Sequence, residues 1–295
     1  MLADEVGRVL RLGTRGSALA LAQARWVAGR LPGEVAIVEI TTAGDLGQTD
    51  PASPTGTADA GDKSRWTGAL ERALVAGEID VAVHSAKDLP GELAGGTEIA
   101  AVPERADPRD VLVGAASLDE LAAGARVGTS ALRRRAQLLA LRPDLDVVEL
   151  RGNVDTRLRK LAEGEVDALV LAAAGLQRLG RIDVTGASLD GPVFVPAAGQ
   201  GCLAVQARTG ERFEAVDDVD AHAALLAERA AVALFGASCH TPVGIHQGHE
   251  GMVAFVGLPD GSEWLIDRAA YPELLAERML AAGAADLLAR AAAMA

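Results

Sequence analysis

The segment Val83-His84-Ser85-Ala86-Lys87-Asp88-Leu89-Pro90 sets a lysine beside a carboxylate directly after an apolar run. Two chemistries suit that pair. Lys87 can form a Schiff base with a carbonyl substrate, or Asp88 can act as the acid/base group while Lys87 binds an anion. A solvated Lys-Asp pair at a helix start is the plain alternative, and the arginines elsewhere in the chain weigh against it. Between Arg126 and Lys160 stand Arg126, Arg133, Arg134, Arg135, Arg142, Arg151, Arg157, Arg159 and Lys160, opposed only by Asp144, Asp146, Glu149 and Asp155. In a chain of formal net charge −13 this basic stretch reads as an anion-binding surface.

Spacing sharpens that reading. Gly128-Thr129-Ser130 follows a strand-like run and opens a helical one, so its N–H groups and hydroxyls suit a carboxylate or phosphate, with Arg133 and Arg134 one turn later. Arg151-Gly152-Asn153 ends another strand, and Arg157 follows one or two turns into the next helix. Ligands of open α/β sheets bind at strand C-termini, and guanidinium forks pair bidentately with planar carboxylates. Arg135, Arg142 and Arg159 read as solvated helix cations. Gly13-Thr14-Arg15-Gly16-Ser17 is a similar junction, where Arg15 and Ser17 form a second anion clamp.

Gly236-Ala237-Ser238-Cys239-His240-Thr241-Pro242-Val243-Gly244 puts a thiol on a turn, as a nucleophile or an attachment point. With His246 and His249 nearby zinc comes to mind, but Cys-His-x5-His-x2-His is not a usual tetrahedral spacing, and no metal is expected. Cys202 opens an apolar strand and reads as a core thiol.

The elements that must carry these residues follow from composition and rhythm. The 295 residues suffice for two or three domains. An excess of 41 acids over 28 cations argues against a nucleic-acid or anionic-membrane partner. Apolar residues make up 49% of the chain and aromatics only 3%, so cores must be built from Ala, Val, Leu and Ile, which suits helices packed on sheets. No apolar run approaches the roughly 20 residues of a membrane span, and Ser17–Ala24 makes no signal peptide, so the expected location is the cytoplasm. Strand-like runs at 8–12, 34–41, 79–83, 111–114, 145–150 and 166–172 alternate with helical ones at 18–31, 69–76, 130–141 and 154–163, the βαβ rhythm of parallel sheets. Residues 44–63 break it with Gly, Pro, Ser, Thr and Asp, either as a lid or as an inert insertion. Turn residues at 103–108 and 195–201 mark two crossings between domains. The expected division is 1–103 with 200–222, then 104–199, then a small α/β domain at 223–295.

In order along the chain stand LGTRGSALALAQ, VEITTAGD, AVHSAKDLP, VGTSALRRRAQLLALRPDL, ELRGNVDTRLRKL, LAAAGLQRLG, VPAAGQGCLAVQAR and GASCHTPVG. In these blocks the sequence closely resembles the porphobilinogen deaminase, or hydroxymethylbilane synthase, family. The resemblance implies an α/β protein of three domains, the first two built like periplasmic binding proteins around a cleft. It implies a dipyrromethane cofactor in thioether linkage to Cys239, onto which four porphobilinogens are joined head to tail with loss of ammonia, until water releases the linear tetrapyrrole. It makes Asp88 the catalytic aspartate, and Arg15, Ser17, Lys87, Thr129, Arg133, Arg134, Arg151 and Arg157 the ligands of pyrrole carboxylates. Where the family often has Gly-Lys-Gly-Leu-Phe, this chain has Asp62-Lys63-Ser64-Arg65-Trp66, so Lys63 aligns with the lysine and Trp66 replaces the phenylalanine over the pyrroles. The expected setting is a monomer that hands its product to the next pathway enzyme. The competing readings are a non-catalytic binding protein for an organic polycarboxylate and a Schiff-base enzyme using Lys87.

Overall fold

The structure, a computed structural model, describes residues 8–47, 63–181, 184, 186–237 and 241–294. Most of the 44–63 segment, and Cys239 with its two neighbours, therefore lie outside the described residues. The chain divides into two compact units, Met1–Arg105 with Cys202–Ala223, and Ala106–Gly201 with Ala224–Ala295.

In the first unit β1 (Leu10–Thr14), α1 (Ala18–Ala28), β2 (Val35–Glu39), α2 (Ser64–Val75), β3 (Val81–Ser85) and β4 (Thr97–Ala101) follow one another, and β10 (Leu203–Arg208) returns later to join them. Their sheet runs β2-β1-β3-β10-β4, with β1, β2 and β3 parallel and β10 antiparallel to both its neighbours. Leu12, Val81, Val83, Val205 and Ala24 meet in one core cluster, and Leu70, Leu74, Ile79 and Ala82 in another under α2. Helix α1 starts where the Ser17 hydroxyl accepts from the Ala20 N–H. It stops three residues short of the predicted end, because the Arg30 and Leu31 N–H groups both turn back to the Val27 carbonyl. Helix α2 begins five residues before the predicted start. No side chain caps that end, and burial of Thr67 and Gly68 holds the first turns, a tertiary effect that local sequence does not display.

In the second unit β5 (Asp110–Val113), β6 (Arg126–Gly128), α3 (Leu132–Leu141), β7 (Asp146–Val148), α4 (Val154–Ala162), β8 (Ala168–Ala172), α5 (Ala173–Arg178) and β9 (Gly186–Leu189) make a sheet of order β7-β6-β8-β5-β9. Again three strands are parallel and the fourth is antiparallel to both neighbours. The two five-stranded sheets thus share one topology. After α6 (Val219–Leu234), strands β11 (Val243–Gly248), β12 (Gly251–Gly257) and β13 (Trp264–Ala269) form an antiparallel sheet, followed by α7 (Pro272–Ala281) and α8 (Ala284–Met294). Alternation along β12 gives this sheet two buried faces. Met252, Ala254 and Val256 pack with Leu275, Met279 and Leu288, whereas Val253 and Phe255 pack with Ala136, Val193 and Val195.

A buried ion cluster pins α3 to the sheet of the second unit. Asp110, only 1% exposed, stands 2.8 Å from Nη1 of Arg133 and accepts from Arg134 at 2.7 and 3.0 Å and from the Gln200 amide at 2.9 Å. Burial opposes its ionisation, but the two guanidiniums outweigh burial and hold the carboxyl far below its ordinary range. The folded pKa therefore lies under the unfolded value, so this group's stabilisation is complete above about pH 4 and is lost as the pH falls through the folded pKa. Asp110→Asn leaves two guanidiniums buried without a counter-charge, a change that costs about 3–5 kcal/mol. Urea denaturation followed by circular dichroism should show a lowered midpoint, and the gap to the parent should close as the buffer is taken below pH 4.

Candidate active site

Strands β1 and β3 are adjacent and parallel, with Leu12 opposite Val81 and Gly13 opposite Ala82. The chain therefore leaves both strands at the same edge of the sheet, and residues 15–17 and 85–88 emerge together. A single short 3-10 turn, Ala86–Asp88, carries Lys87 and Asp88 past that edge. One pocket there is lined by Arg15, Ser17, Gln23, Trp66, Thr67, His84, Ser85 and Asp88 among others. Asp88 is exposed, and the Ser17 hydroxyl caps α1 with a long 3.3 Å bond to the Ala20 N–H.

Arg15 is already engaged. Its guanidinium forms an ion pair with Asp45 and lies over the Trp66 ring at 4.2 Å. Asp45 also accepts from the Thr42 hydroxyl at 2.7 Å and the Thr42 N–H at 3.1 Å. Burial works against its ionisation, yet Arg15 and Thr42 hold its carboxyl below the usual range. Trp66 reaches this position only because residue 44 is glycine, since a Cβ on Gly44 would overlap the indole. Lys63 donates from Nζ to the Lys87 carbonyl at 2.7 Å, which ties the end of the 44–63 segment to the turn bearing Asp88. Deeper in the wall the Gln23 amide donates to the Ser85 hydroxyl at 2.8 Å, and His84 is 6% exposed. Burial, with Arg15 adding a smaller push, drives the imidazole down to about 4, so it is neutral at pH 7.

The remaining candidates belong to the second unit, where β6, β7 and β8 are parallel and send 129–134, 151–157 and α5 out at one edge. Arg157 donates to the Gly152 carbonyl at 2.8 Å and to the Ser130 hydroxyl at 3.1 Å, and burial, together with the nearby charge of Arg134, makes it a weaker base than usual. Arg151 is exposed and paired with Glu149 at 2.6 Å. Thr129 is buried, and its hydroxyl accepts from the Ala131 N–H at 3.2 Å. Arg133 and Arg134 are each only 6% exposed. Arg134 commits Nε and Nη2 to Asp110 and Nη1 to the Val170 carbonyl, and Arg133 donates from Nη1 to Gln137 and the Val195 carbonyl and forms an ion pair with Asp110.

Sequence reasoning brought Arg15, Ser17 and Asp88 to one place and missed Gln23, Asp45, Thr67, His84 and Ser85 around them. A histidine directly after the apolar run Val81–Val83 was the available signal. Asp110 was also missed, although a lone acid heading Val111-Leu112-Val113 marks a buried carboxylate in need of cations. Cys202 is 1% exposed, in keeping with a core thiol. Among the described residues no helix is long and apolar enough to cross a membrane.

The family model described as "Porphobilinogen deaminase, dipyromethane cofactor binding domain" matches residues 10–215. A porphobilinogen deaminase of Roseiflexus castenholzii is 46% identical over 303 residues, covering 95% of this chain and 98% of that protein. Another, of Deinococcus radiodurans, is 43% identical with the same coverage, and one of Nitrobacter winogradskyi is 46% identical over 88% of this chain and 87% of its own. Among solved structures, the periplasmic aliphatic sulphonate binding protein of Escherichia coli aligns with 68% of this chain and 61% of that one at 15% identity and a TM-score of 0.37, a likeness that defines neither fold nor function. With a family model spanning most of its length and relatives matching it nearly end to end, the chain belongs to the porphobilinogen deaminase family.

Proposed function

We propose that the chain joins four porphobilinogen molecules head to tail, with loss of ammonia, into hydroxymethylbilane, and that Asp88 is its catalytic residue. The observation that carries this reading is the convergence of Arg15, Ser17 and Asp88 on one pocket at the C-terminal edge of the first sheet. The donor set there fits a dipyrromethane. A guanidinium and a helix N-terminus suit acetate and propionate groups, a carboxylate suits pyrrole N–H groups, and an indole offers a flat apolar face. Bound through a thioether to Cys239, that group supplies a primer ring with a reactive α-carbon.

The chain's own residues supply the rest. Asp88 holds pyrrole N–H groups, stabilises the positive charge that develops as ammonia leaves, and moves protons to the departing amine and from the attacked carbon. Arg15 exchanges Asp45 for a ligand carboxylate, with Ser17 and Lys87 beside it. In the second unit Arg151, Arg157 and Thr129 meet further carboxylates. Arg133 and Arg134, bound to Asp110 from below, contribute positive potential, and the depressed basicity of Arg157 marks a cation that an incoming carboxylate would relieve. Lys63 and Trp66 close the pocket from the 44–63 side. Within the stretch that the second unit largely covers we read two domains, 104–199 and 223–295, because each has a sheet of its own. The setting that goes with this reading is a cytoplasmic monomer that passes its product onward.

Three experiments test the reading. Asp88→Asn keeps the hydrogen-bond acceptor and loses the charge, so turnover of porphobilinogen should drop at least about 100-fold while the folded protein still carries its primer. Normal product formation by that variant would refute the role of Asp88. Freshly purified active protein should exceed the mass of its chain by two pyrrole units and colour with p-dimethylaminobenzaldehyde, and Cys239→Ser should do neither. An unmodified Cys239 in active enzyme would sink the attachment. Gly44→Ala should expel the indole from Arg15, seen as a shift in tryptophan emission and a raised KM, with Gly44→Ala/Trp66→Phe recovering the parent KM in part.

A further inference from the structure

Strand β10 pairs with β3 so that Ala204 lies opposite His84 and Gln206 opposite Ala82. Side chains two apart share a face, so His84 and Gln206 both project to the side that α2 covers. Gln206 is fully buried, and its amide nitrogen is committed twice, to Glu71 Oε1 at 2.9 Å and to Thr97 Oγ1 at 2.8 Å. A carboxylate can only accept, so the Gln206 amide must point its NH2 at Glu71 and its oxygen the other way. Oε1 of Gln206 and Nε2 of His84, on the same face of the sheet, are both buried and have no other partner, which makes each the natural complement of the other. A proton on Nε2 would serve that oxygen and leave Nδ1 with its lone pair.

We infer that Glu71 and Gln206 are positioning residues that fix the tautomer of His84, so that Nδ1 serves as a hydrogen-bond acceptor in the Asp88 pocket for the N–H of a bound pyrrole. The inference rests on the proposed function and adds a binding residue to it. His84 is nine-tenths buried, lines the same pocket as Asp88, and stays uncharged, so it can accept without drawing the Asp88 carboxylate into an ion pair. Thr67 stands one helical turn before Glu71 on α2, lines that pocket too, is 2% exposed, and has a hydroxyl with no partner. The Thr67 hydroxyl is thus a buried polar group at this pocket that a polar ligand would satisfy, because such groups are costly to bury otherwise. The charged groups around the ring are Arg15 and Asp88 in the pocket wall and Glu71 behind Gln206.

The deciding measurement is long-range 15N–1H NMR of the holoenzyme with labelled histidine, in which each ring nitrogen reports its protonation. The expected spectrum has Nε2 protonated and Nδ1 bare, with the Nδ1 resonance moving when porphobilinogen is added. A proton on Nδ1, or an Nδ1 signal indifferent to porphobilinogen in enzyme that consumes it, overturns the inference. As a second readout, His84→Leu should lower kcat/KM about 10-fold, the size of one hydrogen bond to a bound ligand, with its melting temperature close to the parent's. His84→Asn, which restores a carbonyl acceptor, should recover part of that loss, and Gln206→Leu should release a population with Nδ1 protonated. His84→Leu that matches the parent in kcat and KM removes the inference and leaves the proposed function standing, whereas a parent enzyme that leaves porphobilinogen unconsumed removes both.

Discussion

A guanidinium cannot leave water without a counter-charge, and the second unit is built around that constraint at Asp110. Asp110 is the first residue of β5, the strand by which the chain enters the unit, and Gln200, which also bonds it, lies where the chain leaves. The same Gln200 donates to the Pro108 carbonyl at 2.6 Å, and Arg178 donates to the Gly201 carbonyl at 2.6 Å. Gln200 therefore links both crossings to the carboxylate that holds α3, and Arg178 adds a second tie at the exit. Glu228, fully buried, extends the scheme by accepting from the Gly199 N–H at 2.6 Å and the Gln247 N–H at 2.8 Å, which joins the crossing to β11. Loss of one buried charge here loosens several segments at once.

The shared topology of the two five-stranded sheets explains why chemistry gathers at corresponding places. At the end of each middle strand of the parallel trio, β1 or β6, stands a Gly-Thr pair before a helix, Gly13-Thr14 closing β1 and Gly128-Thr129 running out of β6. A Cβ on Gly13 would overlap Ile79, and one on Gly128 would lie 2.9 Å from Leu150 and Leu169, so glycine lets the strand end approach its cover closely in both sheets. Past these strand ends the two sheets diverge. The first adds Lys87 and Asp88 after β3, while the second continues from β8 into Ala173-Ala174-Gly175 and places guanidiniums after β6 and β7. One frame thus carries two kinds of edge, a pocket with a carboxylate and a row of guanidiniums.

Much of this was legible in the sequence, because alternation of apolar runs with turn residues is a local property. The βαβ rhythm, the exits of Arg15 and Asp88 at one edge, and the core position of Cys202 follow from periodicity and from the rule that parallel strands end together. The start of α2 did not, since Lys63-Ser64-Arg65-Trp66 contains no cap and its helical form depends on what Thr67 and Gly68 bury. Nor did the pairing of Arg133 and Arg134, on a helix, whose partner lies more than twenty residues away at the start of β5. The contact of Gln206 with Glu71 spans 135 residues. Charge counting finds the cations of a site, but their internal partners decide which of them face a ligand, and those partners are set by tertiary contacts alone.

Asp45 and Arg15 show what such a partner does for function. The pair is about a quarter exposed on both sides, so its net stabilisation is on the order of 1 kcal/mol or less. A ligand carboxylate that takes the place of Asp45 therefore meets a guanidinium already oriented by the Trp66 face, at little cost in broken contacts. The exchange is close to neutral in charge, one carboxylate for another. On the proposed function this matters, since a growing polypyrrole must be gripped and then let go as each ring is added. A site that bound its first carboxylate against no internal competitor would hold it too tightly to release, whereas a displaced Asp45 stands ready to take the arginine back.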